Sequence, residues 1–128
     1  MRSTDEGLAT LETTLMITIL IPLLFAVIEF GDVFQRWLAQ ESATVQAARF
    51  AAEVGGDTPE VRALLDDSLR ASGIDPVKAR LEIVPSRVAW RQPLTVTVRS
   101  SASVAIPFLF STDIPLRTTA VVRGEINR

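Results

Sequence analysis

The chain has 128 residues, a mass of 14.0 kDa and a net charge of −2, enough for one small domain with a modest core. It contains neither cysteine nor histidine, which removes disulfides, thiolate metal sites, thiol nucleophiles and the usual imidazole base. The slight acidity argues against electrostatic capture of nucleic acid, and the expectation is a protein that is not an enzyme and has no cofactor and no metal.

Residues 8–30 read LATLETTLMITILIPLLFAVIEF. From 15 to 28 no residue is charged and only Thr18 is polar. About 20 apolar residues cross a hydrocarbon layer of about 30 Å, so a span must also use the turn at 8–11. That places Glu12 in or at the edge of the membrane, where an ionised carboxylate is costly. A cleaved secretory signal fits poorly: one arginine faces Asp5 and Glu6 before the apolar run, and Glu29-Phe30-Gly31-Asp32 after it is no small-residue cleavage site.

The helical pattern continues past this span. Residues 32–54 hold no proline or glycine and are rich in Ala, Gln, Glu, Arg and Leu. One helix is therefore predicted from about Thr10 to about Val54, roughly 65–70 Å long. Phe34, Leu38, Val45, Ala48 and Ala52 can share one side of it, with Ala47, Ala48, Ala51 and Ala52 making a thin packing face. Pro22 removes one backbone hydrogen bond, which predicts a helix kink.

Gly55-Gly56 ends the long helix. Thr58 then caps a short helix with Pro59 in its first position, an apolar stripe of Val61, Leu64, Leu65 and Leu69, and Gly73 at its end. The period next changes to two, predicting strands over 80–84, 94–104 and 116–123. Leu94, Val96, Val98, Ala102 and Val104 face inward on the second, and Leu116, Ala120 and Val122 on the third. One dry face and one wet face predict an antiparallel sheet covered on one side. The fold class is thus α+β: a long N-terminal helix whose distal half packs, with a short helix, on a sheet of about three strands. Residues 106–115 read as an apolar loop, either a plug closing the core or a contact surface for a neighbouring subunit or the membrane face. Phe108, Leu109, Phe110 and Trp90 are the candidate contact residues.

Gly7-Leu8-Ala9-Thr10-Leu11-Glu12 resembles the processing site of type IV pilin-like proteins, in which a prepilin peptidase cuts after a glycine and a glutamate stands fifth beyond the cut. With Ile21-Pro22-Leu23-Leu24, Glu29-Phe30-Gly31, Ala47-Ala48-Arg49-Phe50-Ala51-Ala52 and the segment from Ile106-Pro107 to Gly124-Glu125, the chain is most similar to the TadE-like pseudopilins of tight-adherence pili. The resemblance implies a leader over 1–7, a processing site at Gly7 and Leu8, a long helix over 8–54 with its span at about 8–30, and a soluble head over 57–128. Glu6 stands before Gly7 where such leaders carry basic residues, and Arg2 is the one side-chain cation on that flank.

The implied function is a structural pilin-like subunit of a bacterial Tad-type pilus or its assembly machine, assembled by packing of N-terminal helices. Its implied partners are the inner membrane, copies of itself or other pilin-like subunits, the prepilin peptidase and the pilus assembly platform. The N-terminus would be cytoplasmic and the head extracytoplasmic, with a cell-surface filament after assembly. Glu12 would pair with the new amine on Leu8 of a neighbour, offsetting the cost of a carboxylate in low dielectric. The alternative is an uncleaved single-pass membrane protein whose head binds a partner without polymerising.

Overall fold

The structure is a computed structural model that describes residues 2–126, with side chains from Gly7 onward. The termini of the expected leader and head, Met1 and residues 127–128, lie outside the described residues.

Helix α1 runs unbroken over Arg2–Val54, 53 residues and about 80 Å. It begins earlier than Thr10, so the expected leader is part of the same helix, and it continues through Pro22 without interruption. Thr13, Thr14 and Thr18 donate their hydroxyls to the carbonyls of Ala9, Thr10 and Thr14, one turn back. These bonds allow hydroxyls to sit in an otherwise apolar run without an unmet donor.

At the other end, Gly55 and Gly56 both donate to the carbonyl of Ala51. Gly56 has φ 130, and a Cβ there would collide with the Ser86 carbonyl, because the chain makes an isolated bridge from Gly56 to Arg87. Only glycine meets both demands.

Helix α2 spans Pro59–Ala71, with the Thr58 hydroxyl accepting from the Val61 amide. Bonds from that hydroxyl and from its own backbone hold the Glu60 carboxyl below the usual carboxylate range. At the C-terminus the Gly73 amide bonds to Arg70 and the Ile74 amide to Leu69, with Gly73 at φ 73. This is a Schellman closure, as the position of Gly73 predicts. A short 3-10 turn, Pro76–Lys78, leads to the sheet.

The sheet is antiparallel, in the order β1 (Arg80–Val84), β2 (Pro93–Ile106), β3 (Phe110–Arg123). The predicted inward residues Leu94, Val96, Val98, Ala102, Val104, Leu116 and Ala120 are all buried, and Val122 is partly so. Strand β3 is longer than predicted. Its first six residues, read as loop, pair with β2 down to Ile106 opposite Phe110. The loop is therefore a long hairpin with a three-residue turn, and Phe108, Leu109 and Phe110 at its tip are exposed. The plug reading is overturned: the apolar tip projects beyond the core instead of closing it.

Two apolar clusters join α1 to the sheet. The upper one gathers Ala43, Ala47, Ala48 and Ala51 of α1, Val61, Leu65 and Leu69 of α2, and the inner faces of all three strands. The lower one holds Val33, Ala102, Val104, Ile106 and Leu116, flanked by Ala26 and Trp37. Between them lies a buried polar link. Gln40 Nε2 donates to the Val98 carbonyl at 3.0 Å and to Thr118 Oγ1 at 3.1 Å, while its Oε1 accepts from Ser100. Thr44 Oγ1 lies 2.7 Å from Thr118 Oγ1. Every buried side-chain polar atom among the described residues has a partner, so this link adds specificity without the cost of an orphaned group.

The expected α1 stripe is corrected by this packing. Ala48 and Ala52 are buried, but Phe34, Leu38 and Val45 are exposed on the outer side. Helix and sheet approach closely along the side that carries Ala, Thr and Gln, where bulky residues would overfill the contact.

Candidate functional site

Three places in the molecule carry the residues singled out from the sequence. The first is the membrane-type half of α1. Leu15, Ile17, Ile19, Leu20, Leu23, Leu24, Val27 and Ile28 are all exposed, and they point in every direction around the helix. The most apolar 18-residue window has a mean hydropathy of 2.2 and is 0% buried by the rest of the chain. Exposed apolar surface on this scale requires an apolar environment from outside the molecule. Glu12 lies on this half, and no partner for its carboxylate is found among the described residues. Gly7 and Leu8 sit roughly one to one and a half turns below it, also helical.

The second place is the tip of the β2–β3 hairpin. The Ala105 amide donates to Glu29 Oε2 at 3.3 Å, which ties the lower end of β2 to α1. Below that tie, Phe108 faces Ile17, Thr18, Ile21 and Pro22 across an apolar cleft of about 220 Å³. The predicted kink residue and a predicted contact residue are thus neighbours, which spacing in the sequence does not reveal.

The third place is Trp90, exposed in the β1–β2 connection with the Arg91 guanidinium 5.9 Å from its ring centre. It stands near the Leu94 end of β2, whereas Phe108 stands beyond the Ile106 end. Twelve residues of strand separate those ends, roughly 40 Å. Trp90 and the hairpin tip therefore do not form one surface.

Sequence reasoning missed two groups. Gln40 and Thr44 read as ordinary helix residues, and only their burial against Val98 and Thr118 shows that they fix the height of the sheet on α1. Glu29 has no contact role legible in the sequence, yet it accepts from the Ala105 amide of β2.

A polar cleft of about 390 Å³ runs beside the lower part of β2, lined by Arg36, Asp75, Lys78, Ser101 and Asp113 among others. It combines both signs of charge. Among the described residues no cluster of three or more metal-binding side chains occurs.

No curated protein and no solved structure matches the chain. Residues 7–49, from the expected processing glycine through the alanine-rich turn of α1, match the model of the family described as TadE-like protein, so the resemblance read from the sequence is shown over that length of the helix.

Proposed function

We propose that this chain is a pilin-like subunit associated with Tad-type pili, held in the membrane by residues 8–30 and assembled through packing of its N-terminal helix against other copies or relatives. The observation that carries this reading is the contrast within α1. Its lower half carries large apolar side chains on all sides that no other described element buries, while its upper half is the spine of a packed head. The family match over 7–49 falls on this same helix and supports the pilus association.

In this reading the bilayer covers the lower half before assembly, and neighbouring helices cover it afterwards. Glu12, five residues beyond Gly7, pairs with the Leu8 amine of a neighbour once the peptidase has cut. The N-terminus faces the cytoplasm, where the peptidase and the assembly platform meet it, and the head is extracytoplasmic. Glu12→Ala is expected to leave membrane insertion intact and to reduce recovery of sheared surface filaments. Normal filaments from that variant would refute the pairing role.

One observation favours the second reading, an uncleaved single-pass protein with a binding head. Helix α1 continues through Gly7 and Leu8, so a peptidase would first have to unwind this turn. Mass spectrometry of the mature protein from cells with active peptidase separates the two. A chain beginning at Leu8 supports processing, and one retaining residues 1–7 supports the uncleaved form.

A further inference from the structure

The hairpin tip presents three consecutive large apolar side chains to solvent: Phe108 is 95% exposed, Leu109 64% and Phe110 50%. Phe108 also adopts a left-handed backbone at φ 67, a conformation that hairpin turns ordinarily give to Gly or Asn. A bulky residue there is strained, and a wet phenyl ring offers no compensation in water. Three adjacent exposed apolar side chains of this size mark a place of contact with an apolar environment.

Its position along α1 indicates which one. The bond from Ala105 to Glu29 sets a common level for strand and helix. From Ala105 to Phe108 are three residues of extended chain, about 10 Å. From Glu29 to Pro22 are seven residues of helix, also about 10 Å. Both rulers put the tip beside Pro22, and the cleft shared by Phe108 with Ile17, Thr18, Ile21 and Pro22 agrees. That level lies well inside the 8–30 segment.

We propose that the hairpin tip is a lipid-inserting wedge: Phe108 and Leu109 enter the membrane leaflet that faces the head, so the head is held at the bilayer by two elements, α1 and the tip. This rests on the reading of residues 8–30 as a membrane span. With that span in place, Pro22 lies about 8–12 Å below the surface of the hydrocarbon. This is close to the depth at which interfacial apolar groups reside.

The polarity of the hairpin changes at the matching height. Ile106, Pro107, Phe108, Leu109 and Phe110 form the apolar end, and Ser111 and Thr112 follow. Above them Ser103 Oγ donates to Asp113 Oδ1 at 2.6 Å, five residues or about 17 Å up from Phe108. A headgroup layer at the level of Glu29 divides these two zones. The three tip side chains are also few for a protein partner, since a specific interface takes about 800 Å² from each side. A bilayer needs no matching partner surface. Trp90 takes no part, because it stands at the far end of the sheet.

The chain has no cysteine, so single-cysteine variants carry one label each. Leu109→Cys, Leu20→Cys and Ser101→Cys of the full chain, each bearing an environment-sensitive fluorophore, are reconstituted into phosphatidylcholine–phosphatidylglycerol vesicles with brominated acyl chains. The wedge predicts that the labels at 109 and 20 both lose most of their emission to the bromolipid, while the label at 101 keeps its emission and is quenched by aqueous iodide. A label at 109 that behaves like 101, with 20 still quenched by lipid, overturns the wedge and leaves the span standing. Iodide quenching at both 20 and 109 overturns the span and the wedge with it. Shielding at 109 that disappears when the protein is diluted with lipid overturns the wedge in favour of contact between copies.

Discussion

The two halves of α1 are one continuous helix, yet they handle apolar surface in opposite ways. Below Phe30 the large side chains radiate outward, and no other described element buries them. Above Val33 the covered side is built from Ala43, Ala47, Ala48, Ala51 and the Gln40–Thr44 pair, while Phe34, Leu38 and Val45 face out. A helix in lipid needs only apolarity all round, because its solvent is the partner. A helix against a sheet needs a close fit along one strip, and small side chains provide it. Hydrophobicity alone therefore does not locate a helix's buried face; the size of the residues does.

The largest expected effect sharpens this contrast from the side of the head. Leu65 of α2 is buried at 2% exposure in the upper cluster. Leu65→Ala should cost the head about 2–5 kcal/mol in chemical denaturation and leave membrane insertion unchanged. Leu20→Arg attacks the other half. It should weaken insertion by about 3–4 kcal/mol, read as the fraction recovered with membranes, with little effect on unfolding of the head. If Leu20→Arg unfolded the head as strongly as Leu65→Ala, the two halves would not be separate in their energetics.

Gln40→Ala comes next. It leaves Ser100 and Thr118 with fewer partners at the junction of the two clusters, and should cost about 1–3 kcal/mol in the same denaturation measurement. Smallest is Phe34→Ser on the outer side, expected to change stability of the head by less than about 0.5 kcal/mol. A loss larger than that for Leu65→Ala would show that the outer side of α1 is packed in solution, contrary to its exposure here.

Much of this was legible from local signals. The uncharged run at 15–28, the caps at Thr58 and Gly73, and the alternation from Leu94 to Val104 each arise from neighbouring residues, so their physics survives without the fold. The lower part of β3 was not legible. Ser111, Thr112, Asp113 and Pro115 are turn-forming types, and most of the segment is exposed on both faces, so no alternation marks it. Pro115 is tolerated because β3 is an edge strand, where a missing amide costs least.

By itself, then, the sequence determined a long helix with an uncovered apolar half, an acidic residue five positions after Gly7, and a small one-sided sheet. These follow from periodicity and composition, which act over a few residues. The tertiary structure alone decided that the alanine, glutamine and threonine side of α1 meets the sheet, that Glu29 ties β2 to the helix, and that Phe108 descends beside Pro22. Each of those depends on how closely two distant segments approach, and that distance is set by side-chain volume and strand length summed over the whole contact.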